Sequence, residues 1–321
     1  MKTILVTLAT LAFGVALAGQ IPPRPTQQSP VKPAETDQQT IRINATLVNT
    51  LFTVADRKGK FITNLKQQDF KVYEDEKPQT VTAFSSESNL PLSIALLVDT
   101  SGSIRDKLRF EQEAAIEFFY STLHRGRDRA MIISFDSGAE VLQEFTDDPE
   151  VLAEAVRKVR AGGGTALYDA IYLAVTEKLA KESEQRRKVL ILISDGDDNS
   201  SRLSMTETLD VAQKNNITIY GISTNTSGFL GSKEHERGDK TLKRFSEETG
   251  GKPFFPLKVQ DLAVSFTDIG EELRSQYTIG YRSARVDDGT FRRIRIEVAS
   301  NKNYKTRART GYYAPKSSSR D

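Results

Sequence analysis

Ile94-Ala95-Leu96-Leu97-Val98-Asp99-Thr100-Ser101-Gly102-Ser103 joins an apolar run directly to a carboxylate and hydroxyls. Five apolar residues without a polar break are the pattern of a strand covered on both faces, as in a parallel sheet. Asp99, Ser101 and Ser103 follow at a spacing of two, and an irregular turn there lets all three converge on one point. Hard oxygen groups at the carboxyl end of a buried strand predict a small hard cation such as Mg2+.

Two further stretches extend this reading. Val189-Leu190-Ile191-Leu192-Ile193 is again apolar on both faces and ends in Ser194-Asp195-Gly196-Asp197-Asp198. Gly162-Gly163-Gly164-Thr165 breaks the chain before a helix, and glycine lets the backbone bring Thr165 close to a neighbour. Strands are predicted at 130–135, 217–222 and 252–255, with 140–145 as an antiparallel edge. Helices are predicted at 106–123, 149–159, 166–180, 205–215, 239–249 and 259–276. In the first of these, Leu108, Ala115, Phe119 and Leu123 form the inward stripe, with Lys107 and Glu111 outward. Strands alternating with helices predict an α/β fold with a doubly wound, mostly parallel sheet. Ligand groups of such a sheet gather at its carboxyl edge, which assigns the metal to Asp99, Ser101, Ser103, Thr165 and Asp195. Asp169, one turn past Thr165, either orients it or occupies a favourable first turn of its helix. Asp197 supports the site, adds negative potential beside it or simply faces solvent.

The ends of the chain read differently. Met1-Lys2, an apolar run over 4–18 and a closing Ala16-Leu17-Ala18 describe a cleavable secretory signal. Residues 19–39 are rich in proline and glutamine and form an extended linker. Alternation then places Ile41, Ile43, Ala45 and Leu47 on one strand face, followed by Leu51, Thr53 and Ala55, with Asp56-Arg57-Lys58-Gly59 as a hairpin-type turn. Residues 70–75 and 80–84 are further strands. Alternation returns at Tyr277, Ile279 and Tyr281, then at Phe291, Ile294, Ile296 and Val298, then at Tyr304, Thr306 and Ala308, with Asp287-Asp288-Gly289 as a hairpin between the first two. The expected division is thus signal 1–18, linker 19–39, β-segment 40–87, α/β domain 88–276, β-segment 277–314 and tail 315–321. The two β-segments build one small all-β domain into which the α/β domain is inserted; two separate β-modules are the alternative.

Composition narrows the function. Among 321 residues, 45 Lys+Arg against 43 Asp+Glu leave +2, so no overall field favours nucleic acid or acidic lipid. Zero cysteines exclude disulfides, thiolate metal sites, cysteine nucleophiles and a lipid-modified N-terminal cysteine. His124 and His235 are the only histidines, too few for a zinc centre built on histidine. No stretch after the signal is long and apolar enough to span a bilayer, so a secreted or periplasmic chain is expected.

The set D-x-S-x-S at 99–103, GGGT ending in Thr165 and SDG holding Asp195 resembles the von Willebrand factor type A domain with its metal-ion-dependent adhesion site. The resemblance covers roughly residues 92–276. It implies that Ser101 and Ser103 bind the metal directly, Thr165 directly or through water, and the aspartates mostly through water. A glutamate or aspartate of a protein partner supplies the last ligand. The flanking stretches 70–75, 276–281 and Gly311-Tyr312-Tyr313 resemble a bacterial subgroup described from acidobacteria, which implies little about function.

Other motifs carry less. Asp195-Gly196-Asp197-Asp198-Asn199 begins like a calcium loop, but Ser200 and Thr206 stand where glycine and glutamate belong. Arg237-Gly238-Asp239 is a tripeptide that integrins read, and helix capping by Asp239 explains it equally; its carboxylate could also serve the metal of a second copy, the one route to self-association. Asn199 fits a glycosylation pattern, but a glycan there would crowd the metal. The expected function is an exported adhesion module binding an acidic protein side chain through a divalent cation, Mg2+ foremost, with Mn2+ or Ca2+ as alternatives, and not an enzyme. Alternatives are a metal-assisted hydrolase, against which no general base accompanies the site, and an accessory subunit of a larger envelope complex.

Overall fold

The computed structural model describes residues 47–86, 90–102, 105, 107–225, 233–285 and 287–316. The predicted signal, the linker, the strand positions 41–45, Ser103 and most of the tail lie outside the described residues.

In chain order the strands and helices are β1 (Leu47–Ala55), β2 (Phe70–Glu74), β3 (Lys77–Gln79), β4 (Val81–Ser85), β5 (Leu92–Asp99), α1 (Leu108–Thr122), β6 (Arg129–Phe135), β7 (Ala139–Thr146), α2 (Pro149–Lys158), α3 (Leu167–Leu173), β8 (Arg187–Ser194), α4 (Met205–Lys214), β9 (Thr218–Ser223), α5 (Lys233–Thr249), β10 (Pro253–Phe254), α6 (Leu262–Leu273), β11 (Tyr277–Arg282), β12 (Phe291–Val298), β13 (Lys305–Ala308) and β14 (Gly311–Tyr313). A π-helical turn and a 3-10 turn continue α3 to Lys181.

The central sheet has the order β10-β9-β8-β5-β6-β7, parallel except for the antiparallel edge β7. Every residue of β5 and of β8 is buried, because apolar layers lie on both sides. One layer includes Phe118, Phe119, Phe266 and Ile269 of α1 and α6, the other Leu167, Ile171, Leu209 and Phe245 of α3, α4 and α5. From β5 the order runs to β6 in one direction and to β8 and β9 in the other, so a topological switch point falls between β5 and β8. α2 begins with Asp148 accepting the Glu150 amide and Pro149 in the first turn, and α4 begins with a reciprocal Ser204–Glu207 capping box.

Two antiparallel four-stranded sheets flank this layer, β13-β1-β11-β4 and β14-β12-β2-β3, and both draw strands from before and after it. Their inner faces meet in one core that includes Phe52, Phe70, Tyr277, Ile279 and Ile296. Three sequence expectations change here. β1 buries Val48, Thr50, Phe52 and Val54, whereas Leu51 and Ala55 are only partly buried; Thr53, of the predicted set, is buried as well. A one-residue difference in strand phase exchanges the faces, and both sets are apolar enough to permit it. The turn at 287–289 does not close a hairpin, because β11 pairs with β1 and β4 while β12 pairs with β2 and β14; it carries the chain from one sheet to the other. α5 begins six residues earlier than predicted, so His235 lies within it and Asp239 is interior to it rather than at its start.

A buried polar group ties the two sheets. Glu74 is 2% exposed and accepts hydrogen bonds from the Tyr281 hydroxyl at 2.9 Å, the Tyr312 hydroxyl at 2.9 Å and Ser283 Oγ at 2.8 Å. Arg292, fully buried, is its counter-ion at 3.7 Å. Contact with the central layer is polar as well: Glu272 of α6 pairs with Arg307 of β13, and the Tyr313 hydroxyl donates to Asp210 of α4 at 2.6 Å. Glu74→Ala removes the buried counter-ion of Arg292, leaving it the half-exposed Asp288 at 3.4 Å, and takes the acceptor from three buried hydroxyls, so it is expected to lower stability by about 3–5 kcal/mol, read as a fall in the urea midpoint with an unchanged slope.

Candidate functional site

Asp99 and Asp195 emerge from adjacent strands at the switch point, and the chain holds them there by hydrogen bonds among four loops. Asp99 has no exposed surface; its Oδ1 accepts the Ser101 amide at 2.9 Å and its Oδ2 accepts Ser194 Oγ at 2.6 Å. Ser194 Oγ in turn accepts the Gly196 amide at 3.0 Å, which sets the path of the loop carrying Asp195. The Thr100 carbonyl accepts the Gly162 amide at 2.6 Å, and the Asp136 carbonyl accepts the Ala166 amide at 2.6 Å, bringing the glycine loop and Thr165 to the same edge. Asn199 Oδ1 accepts the Thr165 amide at 3.0 Å, while the Thr165 carbonyl accepts the amides of Asn199 and Ser200 at 3.0 and 3.1 Å. Ser101 and Thr165 are buried, at 4% and 5% exposure.

Glycine is required at two contacts in this cluster. Gly163 has φ +91°, and a Cβ there would lie 2.6 Å from Asp136 Oδ2. Gly196 and Gly238 pack backbone to backbone: a Cβ on Gly196 would lie 2.2 Å from the Gly238 carbonyl oxygen, and one on Gly238 would lie 2.0 Å from that of Asp195. The Arg237-Gly238-Asp239 tripeptide is thereby occupied internally. Arg237 pairs with Asp197 at 3.3 Å, and Asp239 Oδ1 accepts Ser223 Oγ at 2.6 Å and Asn225 Nδ2 at 3.0 Å.

The structure sorts the expected residues unevenly. Asp99, Ser101 and Asp195 come together, Thr165 is held at the same edge, and Ser103 lies outside the described residues. Asp169 does not orient Thr165: its carboxylate accepts the amides of Arg202 and Leu203 at 3.1 Å and fixes the loop entering α4. Asp197 donates its amide to Asp195 Oδ1 at 3.1 Å. Lys107 is not outward, since its ammonium donates to the Thr224 carbonyl.

Glu111 is the largest correction. It is 1% exposed, and among the described residues neither carboxylate oxygen has a hydrogen-bond partner. Burial first, then the charges of Asp99 and Asp195, push its carboxyl up to about 8, with Lys107 as the opposing cation. Burial likewise pushes Asp99 up to about 6 against the hydrogen bonds from Ser194 and Ser101, with Asp195 adding to the rise. The sequence held a signal for this: position 111 is three residues after Leu108 and four before Ala115, on the inward stripe of the helix. Its charge alone argued for the outer face. Ser194 and Asn199 had no such signal, because their roles depend on which loops lie side by side.

Residues 94–197 match the family model of the von Willebrand factor type A domain. An uncharacterized protein of Synechocystis sp., sll0103, is 29% identical over 113 residues, 35% of this chain, and the match spans about a quarter of that relative's length (26%). Among solved structures, BatB from Bacteroides thetaiotaomicron aligns at TM-score 0.45 and 14% identity over 57% of this chain and 100% of that one. Proximal thread matrix protein 1 from the mussel byssus, in a form with a zinc-occupied MIDAS motif, aligns at TM-score 0.49 and 18% identity over 63% of this chain and 50% of that one.

The two raised carboxyls predict an inverted pH response in the cation-free protein. The folded chain keeps these two protons where the unfolded chain has released them, so the contribution of this pair to stability is greatest below the ordinary carboxylate range. It falls as pH rises through about 6 and on to about 8, by about 1.4 kcal/mol per pH unit for each such proton. Urea titrations in EDTA at pH 5 and pH 8 measure this, and Glu111→Gln is expected to flatten the upper part. Gly238→Ala, by contrast, is expected to cost about 1–3 kcal/mol at every pH through overpacking.

Proposed function

We propose, from the premise that the chain carries a von Willebrand factor type A domain, that it is an exported binding module. A divalent cation held by Asp99, Ser101, Ser103, Thr165 and Asp195 takes its last ligand from a glutamate or aspartate of a protein partner. The observation that carries this reading is the surplus of buried carboxylate at one edge of the sheet. Asp195 adds to the rise of the Asp99 carboxyl, Asp99 and Asp195 both add to that of Glu111, and among the described residues neither buried Glu111 oxygen has a hydrogen-bond partner. Such a group of acids is costly in the absence of positive charge, and a hard cation with oxygen ligands is the species that relieves it.

The chain's own residues divide the work. Asp99 is oriented by Ser194 and the Ser101 amide, so its carboxylate is set before any cation arrives. Ser101 and Thr165 offer neutral hydroxyls, which leave the charge of a bound Mg2+, Mn2+ or Ca2+ incompletely neutralised and open to an external carboxylate. The reading includes no catalytic step. His124 contacts Asp128, which accepts the Leu92 amide at the amino end of β5, the end remote from Asp99. His235 lies exposed on α5. Export rests on the pattern of residues 1–18, and no helix among the described residues is long and apolar enough to cross a membrane.

Calorimetric titration of the full chain with MgCl2, MnCl2 and CaCl2 tests the proposal. Saturable binding to at least one is expected, and Ser101→Ala or Thr165→Ala is expected to weaken it tenfold or more, about 1.4 kcal/mol. Partners retained in Mg2+ should be released by EDTA. Cation affinity unchanged in both variants would end this reading.

A further inference from the structure

The opposite edge of the central sheet carries the reverse charge. β8 is eight residues long, so its first residue, Arg187, lies about 25 Å from the Asp195 loop. Around that end opens a cleft of about 750 Å3, bounded by β1, the start of β8, the end of α4 and the chain from Arg309 to Lys316. Its basic residues are Arg186, Arg187, Lys188, Lys214, Arg309 and Lys316, and its one acidic residue is Glu184. A cavity of this size is in the range that holds a small organic ligand.

Two of these cations are already satisfied: Arg186 pairs with Glu182 and donates to Ser93 and to main-chain carbonyls, and Lys188 pairs with Glu184 at 2.6 Å. Arg187, only 2% exposed, donates one nitrogen to the Leu273 carbonyl, and its other two have no hydrogen-bond partner among the described residues. Arg309 is more accessible, being half-buried. One terminal nitrogen donates to Asn216 Oδ1 and the other to the Asn49 carbonyl at 2.9 Å, while Nε is buried without a partner among the described residues. Its guanidinium carbon lies 5.6 Å from the Tyr312 ring centroid. Among the described residues, no carboxylate pairs with Arg309, and burial lowers its pKa to about 10. Lys214 stands nearby with its ammonium 4.8 Å from the Tyr313 ring centroid.

A guanidinium held by neutral oxygens and an aromatic face is a planar fork lacking its oxyanion. Leu47, Leu51, Leu90, Tyr312 and Pro315 add apolar wall around it. We propose that this cleft binds a small organic oxyanion, a carboxylate or a phosphate monoester with an apolar body, whose charged end pairs with Arg309. The site is separate from the acidic edge and does not depend on a cation there.

Benzoate, phenyl phosphate and inorganic phosphate, titrated calorimetrically into the full chain in EDTA, test this. Benzoate or phenyl phosphate is expected to saturate with Kd of about 1 mM or tighter, more weakly at high salt, and whichever of them binds identifies the oxyanion. Inorganic phosphate, lacking the apolar body, should bind less tightly than phenyl phosphate. Arg309→Gln should weaken binding at least tenfold, and Ser101→Ala should leave it unchanged. If Arg309→Gln does not fold, the double variant Lys214→Gln/Lys316→Gln takes its place, with a several-fold loss expected. No saturable binding of either organic anion, binding undiminished in a folded cleft variant, or binding lost in Ser101→Ala overturns the proposal.

Discussion

The hydrogen bond from Ser194 Oγ to Asp99 Oδ2, 2.6 Å long and without solvent access, joins the carboxyl ends of two strands buried on both faces. It exists because β5 and β8 are neighbours although 87 residues separate Asp99 from Arg187, an adjacency that only the winding of the sheet creates. Around it the remaining loops settle in turn. Ser194 Oγ accepts the Gly196 amide, its carbonyl accepts the Thr224 amide, and the Asp99 carboxylate accepts the Ser101 amide. A buried carboxylate with two good donors has a fixed direction, and a fixed direction is what a ligand needs.

The same burial creates an electrostatic imbalance. Asp99, Asp195 and Glu111 gather at one edge of the sheet, and Arg309 and its basic neighbours gather near the other. A net charge of +2 conceals both. Among the described residues, each edge carries buried groups without a hydrogen-bond partner, the Glu111 carboxylate at one and guanidinium nitrogens of Arg187 and Arg309 at the other. Buried unmatched groups are costly, and they mark the places where a ligand has most to contribute.

Backbone contact completes the framework. Gly196 and Gly238 allow the Asp195 loop to lie against α5 at a distance that no side chain permits, and Arg237 and Asp239 on either side are bound to Asp197, Ser223 and Asn225. A tripeptide that reads as a recognition motif in one dimension is, in three, a clasp holding the site's own loop.

Much of this was legible in the chain. The unbroken apolar runs before Asp99 and Asp195 determined the parallel sheet, because only strands covered on both faces tolerate such runs. The oxygen-bearing residues that follow them marked its carboxyl edge as the candidate site. Position 111 was legible by period and obscured by charge: burial of a glutamate is decided by what surrounds it, not by its own preference. The phase of β1 and the path of the turn at 287–289 were open, since alternation specifies two faces without saying which one meets a core. The apolar pattern and the spacing of Asp99, Ser101, Thr165 and Asp195 are local properties of the chain, and the sequence alone determined them. Which carboxylates are brought together at one edge, and which arginines are held by neutral oxygens, are long-range consequences of packing, and those only the tertiary structure decided.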